Sequence, residues 1–136
     1  MGLYLCVFDG EEELDGVEVG FYADFGTFRN AVVRHLENGK AGSRFPTLIH
    51  HSDSDGEWSP VESKKLESEL LQIELEFSRL AAMPVDGWRK DVAERRRIEL
   101  RSLADCFFDI DGEPLINRLV GLVRLSQRRS RPILFQ

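Results

Sequence analysis

Three stretches of the chain carry apolar residues at the three- and four-residue spacing of one helix face. Those of the first stretch are Phe25, Phe28, Val32 and Leu36. The second stretch has Leu66, Leu70, Ile73, Phe77 and Leu80, and the third has Leu115, Leu119, Leu122 and Leu125. The first predicted helix begins near residues 23–24, and Gly39 follows it in the usual position of a C-terminal stop. The spacing therefore predicts three helices, each with one buried face.

The second of these helices also has the clearest start signal in the chain. Ser59 is predicted as its N-cap, Pro60 as its first helical residue, and Glu62 as the side chain that returns a hydrogen bond to the cap amide. Leu71 and Leu75 are predicted to widen its buried stripe, as in an ordinary core helix. A fourth, highly charged helix is predicted over residues 88–100, with Trp88 and Val92 facing inward.

Strands are predicted between the helices. The unbroken apolar run Leu3–Phe8 is typical of a central strand that is buried on both faces. The acidic segment 11–16 is predicted to be a loop. Further strands are predicted at 17–19 (a short edge strand), 47–50, within 103–110 and at 133–135. This order predicts an α+β fold, or α/β, in which a small central sheet packs against three to four helices.

Length and composition agree with one compact domain spanning residues 1–136. The chain is 42% hydrophobic, which is enough for a core without a stapling metal or disulfide. No apolar run approaches the length of a membrane span, and Leu3–Phe8 lacks the basic lead of a signal peptide. Cys6 and Cys106 lie in apolar settings and are predicted to be reduced core residues of a cytoplasmic protein.

Charge is unevenly distributed along the chain, whose net charge is −6. Residues 1–60 carry eleven acidic and four basic side chains, so a nucleic acid partner is disfavoured by repulsion from its phosphates. Basic residues cluster at 95–97 and 128–131, but no aromatic side chains alternate with them as in a nucleic-acid-binding surface. Solvated helix faces explain both clusters.

Asp-Gly-Glu occurs three times, at 9–11, 55–57 and 111–113, each time after a predicted strand. Two of the three extend backward to Asp-x-Asp-Gly, with Asp53 and Asp109 as the first residues. Turn chemistry accounts for this pattern, because Asp and Gly supply the backbone geometry that a strand exit requires. The alternative is that the three loops gather at one sheet edge and form an acidic rim.

Metal and catalytic motifs are sparse. In a calcium-loop alignment Asp53, Asp55, Gly56 and Glu62 fall at suitable positions, but His51 stands where the first oxygen ligand belongs. We therefore expect no resident metal or cofactor and no catalytic residues. An enzyme alternative remains open: a metal-assisted hydrolase with the Asp-x-Asp-Gly carboxylates as ligands and His51 as base.

The chain resembles an immunity-protein family of bacterial polymorphic toxin systems. Six stretches carry the resemblance: Met1–Phe8, Leu14–Gly20, Gly39–Pro46, His51–Pro60, Phe108–Leu115 and Pro132–Gln136. The most specific of them is Ser-Asp-x-Asp-Gly-Glu-Trp-Ser-Pro at 52–60, and residues 83–101 match least. The resemblance implies a small α+β cytoplasmic protein that binds and neutralises a cognate toxin domain, with no catalytic residues of its own.

This implied function agrees with the acidic charge, since toxins that attack nucleic acid have basic clefts. The hypothesis assigns toxin binding to eight residues: Asp53, Asp55, Glu57, Trp58, Asp9, Glu11, Asp109 and Asp111. Trp58 is either the central anchor of that surface or a core residue at the helix start. A self-associating module that uses the long second helix is a further alternative, and the oligomeric state is left open.

Overall fold

A computed structural model describes residues 2–52 and 54–136. The strands are β1 (Gly2–Asp9), β2 (Glu12–Phe21), β3 (Glu57–Trp58) and β4 (Ile133–Phe135). The helices are α1 (Tyr22–Leu36), α2 (Pro46–Ile49), α3 (Pro60–Phe77), α4 (Gly87–Arg96) and α5 (Leu115–Arg129), and a 3₁₀ turn covers Leu103–Cys106. The predicted α+β fold is confirmed.

The four strands form one antiparallel sheet in the order β2-β1-β4-β3. β1 is hydrogen-bonded on both sides, and Leu3, Leu5, Cys6 and Val7 are buried within it, so the prediction of a central strand is confirmed. β2 and β3 lie at opposite edges. Three strand spacings of about 4.8 Å separate these edges, or about 14 Å.

The prediction of a loop over 11–16 is wrong. β1 turns at Gly10 and Glu11 directly into β2, which pairs with β1 along its whole length. Gly10 adopts a φ of 65°, which suits this tight hairpin. Val17 and Val19 of β2 are buried, while Glu12 and Glu13 are exposed at the start of the strand. Acidic residues are tolerated there because that part of the strand faces solvent.

Two other predicted strands are helical turns. Residues 47–49 lie in α2, and residue 50 is its C-cap. Pro46 occupies the first turn of this helix. The carboxylate of Glu69 on α3 accepts hydrogen bonds from the amides of Thr47 (3.2 Å) and Leu48 (3.0 Å), which stabilises the helical turn. Residues 103–106 form the 3₁₀ turn, and the amide of Ser102, the N-cap residue just before it, donates to the Asp105 carboxylate (3.0 Å). Phe108 makes only an isolated bridge with Pro114.

The core lies where α1, α3 and α5 meet the sheet. Phe28 of α1 contacts Phe77 and Phe107 edge to face, at ring distances of 6.3 Å and 5.3 Å. Leu66, Leu70, Ile73 and Phe77 form the buried stripe predicted for α3, whereas Leu80, also predicted there, lies beyond the end of α3 and is half-buried. Leu71 and Leu75, predicted to widen it, instead are exposed. The buried stripe of α3 is therefore narrower than predicted.

Both cysteines are buried free thiols. Burial raises the pKa of the Cys6 thiol to about 11 and also raises the pKa of Cys106. The Cys106 sulfur lies 3.4 Å from the amide nitrogen of Met83, so it tethers the segment between α3 and α4. These positions agree with the prediction of reduced core residues.

The predicted capping box of α3 is confirmed and predicts a stability effect. The Ser59 hydroxyl accepts from the Glu62 amide at 3.1 Å, and the Glu62 carboxylate accepts from the Ser59 amide at 3.0 Å. We expect Ser59→Ala to lower the free energy of unfolding by about 1 kcal/mol, measured by urea denaturation. Ser59→Asp, which retains a cap acceptor, is the control, and an equal loss in both variants would contradict a capping role.

Candidate functional site

The structure places the predicted acidic residues in three separate regions instead of one rim. Asp55 lies just before β3 and Glu57 is the first residue of β3, where the carbonyl of Gly56 accepts a hydrogen bond from the Phe135 amide of β4 (3.0 Å). Asp109 and Asp111 lie beside β2, because the amide of Ile110 donates to the Glu18 carbonyl (3.2 Å). These two loops therefore flank opposite edges of the sheet. Asp53 lies outside the described residues.

Asp9 and Glu11 occupy the third region, the β1–β2 turn. Asp9 forms ion pairs with Arg129 (3.0 Å), the last residue of α5, and with Arg131 (2.9 Å), which lies two residues further along the chain. The hydrogen bond from Arg129 and the nearby charge of Arg131 hold the pKa of Asp9 below its usual range. Glu11 is exposed beside it. The charge of Asp9 is thus largely compensated within the protein, whereas that of Glu11 faces solvent.

Of the two alternatives for Trp58, the structure shows the core residue and not the surface anchor. Its side chain is completely buried, and its indole nitrogen donates to the Thr47 carbonyl at 3.1 Å. The ring packs edge to face on Phe135 at 4.7 Å and lies 4.9 Å from His51. Trp58 therefore holds the loop before α3 against the sheet and presents no surface to a partner.

Asp109 is also buried, with 2% of its surface exposed. Its Oδ1 accepts hydrogen bonds from the amides of Asp111 (2.9 Å) and Glu113 (3.0 Å), and its Oδ2 lies 3.6 Å from Nε of Arg118. Gly112 completes the turn with a φ of 84°. In this loop the Asp-x-Asp-Gly sequence therefore forms a turn, as turn chemistry predicts. Asp111 is exposed.

His51 is held by its own loop. One ring nitrogen lies 2.8 Å from the Ser52 carbonyl oxygen and the other 2.9 Å from that of Glu57, while the ring stacks on Phe135 at 4.2 Å. Both ring nitrogens therefore face carbonyl oxygens of this loop, and a neutral imidazole can donate a hydrogen bond to only one of them. Across residues 2–52 and 54–136, no three His, Cys, Asp or Glu side chains come together in a group suited to a metal ion.

A cleft of about 470 Å³ opens between β2 and α4, on the same side as the Asp109–Asp111 loop. Its apolar lining includes Phe21 and Ile110, which are 57% and 43% exposed, and the half-buried Trp88. Glu18, Asp91 and Arg95 supply charged side chains to the lining. The cleft thus combines exposed apolar surface with charged groups, a combination typical of protein interaction sites.

Asp24 fixes the geometry of this cleft. Its Oδ2 accepts hydrogen bonds from the Phe21 amide (2.7 Å) and from the Trp88 indole nitrogen (3.1 Å). Asp24 therefore stabilises the start of α1 and also holds α4 against it. Gly20 allows this close approach, because a Cβ there would lie 2.7 Å from the Asp24 carboxylate and 2.9 Å from the Trp88 ring.

Sequence reasoning missed this site. The sequence places residue 24 near the start of a helix and Trp88 on the inward face of a charged helix, and neither position indicates a cleft. Phe21 and Ile110 are large apolar residues that belong to none of the predicted buried helix faces, and this was the one sequence feature that could have pointed to an exposed apolar surface. Their proximity depends on the pairing of β2 with residue 110, which no local pattern encodes.

Comparison with known proteins gives one match. A family model described as Immunity protein 70 matches residues 3–135. No curated protein and no solved structure matches the chain. In the described part of the chain, none of the helices has the length and apolar character needed to cross a membrane. The family match runs from the second residue of β1 to the last residue of β4. Because it covers nearly every residue, the chain belongs to the Immunity protein 70 family.

Proposed function

We propose that this protein is the cytoplasmic immunity protein of a polymorphic toxin system. It binds a cognate toxin domain and neutralises it by covering its active site or an adjoining surface, without catalytic chemistry of its own. The observation that carries this proposal is the family match over residues 3–135. Two features of the surface support it: exposed carboxylates around the sheet and the cleft beside β2.

The exposed carboxylates are proposed to guide the encounter with a basic toxin. Glu11, Asp55, Glu57 and Asp111 are exposed and lie around the sheet, so they act as separate contributions to an acidic field. Such a field mainly raises the association rate and makes it depend on ionic strength. In this proposal the buried residues Trp58 and Asp109 do not contact the toxin, but they stabilise the loops that carry these carboxylates.

Co-expression tests the function. The proposal predicts that a gene beside this one encodes a C-terminal toxin domain, and that domain is the probe, produced in a bacterial host with or without the protein. We expect growth arrest without the protein, growth in its presence, and a stable complex of the two purified domains. Toxicity that persists at full expression of the folded protein, with no complex in solution, would overturn the proposal.

Neutralising two loop carboxylates tests the guiding role. We expect Asp55→Asn with Glu57→Gln to slow toxin association several-fold at low salt and to flatten its salt dependence. Stopped-flow fluorescence over a range of ionic strengths measures both quantities. The matched control is Asp86→Asn with Glu94→Gln, which removes the same charge from exposed residues around α4. Association rates that match those of wild type at every salt concentration would contradict a guiding role for this loop.

A further inference from the structure

Building on the proposed function, we propose that the cleft between β2 and α4 is the anchor pocket for the toxin. It receives an apolar side chain of the toxin that has a lysine or arginine next to it. The pocket is defined by Phe21, Trp88 and Ile110, with Glu18 and Asp91 as its acidic side chains.

The pocket is held in place before any partner arrives. The Trp88 indole is fixed by its hydrogen bond to Asp24 and by an edge-to-face contact with Phe108, at a ring distance of 6.2 Å. The Asp109–Glu113 turn packs against α4, because a Cβ on Gly112 would lie 3.0 Å from Arg96 and 3.3 Å from Val92. Binding therefore orders little of this wall, and a pre-organised site loses less conformational entropy on association.

The apolar surface of the pocket is unusual for the outside of a small acidic protein. Phe21 and Ile110 are among the few large apolar side chains exposed in the described residues, and both open into this cleft beside a tryptophan. Aromatic side chains in such pockets dominate the binding energy of protein interfaces. An apolar group from the partner would remove this surface from water.

The charges that line the cleft favour a cationic toxin side chain next to the apolar one. Glu18 and Asp91 place two carboxylates on the cleft, against the single guanidinium of Arg95. The chain as a whole carries a net charge of −6. A cationic side chain beside the apolar one is therefore favoured, and an acidic neighbour is disfavoured.

Docking at this edge occurs through side chains and not by addition of a strand. Two outward carbonyls of β2 are already used: that of Glu18 accepts from the Ile110 amide, and that of Gly16 accepts from the Arg118 guanidinium at 2.5 Å. An incoming strand would find these acceptors occupied. The cleft, in contrast, is open.

Truncation of the two exposed apolar residues tests the pocket. We expect Phe21→Ala with Ile110→Ala to weaken the Kd for the neighbouring toxin domain at least tenfold by calorimetry, with little change in the unfolding midpoint. Leu71→Ala with Leu75→Ala is the matched control, because these α3 side chains are similarly exposed, at 43% and 46%, and lie outside the cleft. The control should bind as the wild type does.

Charge reversal tests the flanking cation. We expect Asp91→Lys to weaken binding several-fold at low salt, whereas Glu94→Lys, which makes the same change outside the lining, should have a much smaller effect. Wild-type affinity in both the alanine pair and Asp91→Lys, with toxin still bound by the wild type, would overturn the pocket while leaving the proposed function intact. A wild-type protein that binds no toxin would overturn the function itself.

Discussion

Trp58→Ala should lower the free energy of unfolding by about 3–5 kcal/mol, the usual cost of removing a large aromatic side chain from a core. Trp58 is fully buried, contacts Phe135 and His51, and donates a hydrogen bond to Thr47. The substitution leaves a cavity and an unpaired carbonyl. Urea denaturation followed by circular dichroism measures the loss.

Toxin binding by the same variant distinguishes a core role of Trp58 from a role as a toxin-binding anchor. Trp58→Phe keeps the ring contacts but removes the indole donor, so we expect a smaller loss of about 1–2 kcal/mol. A protein with Trp58→Ala that keeps wild-type stability but loses toxin binding would contradict the core assignment. Loss of binding that parallels loss of folded protein agrees with it.

Glu37→Ala should lower the free energy of unfolding by about 3 kcal/mol. This carboxylate is 2% exposed and accepts hydrogen bonds from three backbone amides: Gly42 (3.0 Å), Arg44 (2.9 Å) and Phe45 (2.9 Å). A buried amide that loses its acceptor costs about 1–3 kcal/mol. The Phe45 amide is buried and those of Gly42 and Arg44 are partly buried, so the Phe45 amide contributes most of the loss. The loop from α1 to α2 is therefore expected to lose its structure, which thermal or urea unfolding detects.

Two controls define this effect. Glu37→Gln retains a carbonyl oxygen at the site and should lose less stability than the alanine variant. Glu57→Ala removes an exposed carboxylate and should change the free energy of unfolding by less than about 0.5 kcal/mol. Equal stability of Glu37→Ala and Glu57→Ala would show that the three amides find other acceptors.

The sequence predicted the elements whose signals are local. α1, α3 and α5 were found because apolar residues repeat at helical spacing, and α3 was located to the residue by its Ser59–Glu62 cap. β1 was found because it is apolar at nearly every position, as a strand covered on both faces must be. These patterns can be recognised from residues that stand close together in the chain, within a few turns of one helix or along one strand.

The failures share a long-range cause. α2 is stabilised by Glu69 from α3, more than twenty residues away, and the apolar composition of 47–49 could not reveal that partner. β2 extends over an acidic segment because β1 supplies its hydrogen bonds. In both cases a tertiary contact overrides the local preference of the segment.

The functional surface divides in the same way. The sequence by itself determined the family resemblance, the acidic charge and the turn-forming Asp-Gly loops, because these depend only on which residues stand next to one another. Tertiary structure alone decided that Trp58 and Asp109 are buried, that the acidic loops flank opposite sheet edges, and that Phe21, Trp88 and Ile110 share a cleft. The physical reason is that strand order, helix packing and burial arise from contacts between distant residues, and neighbouring residues in the chain do not specify which distant surfaces will meet.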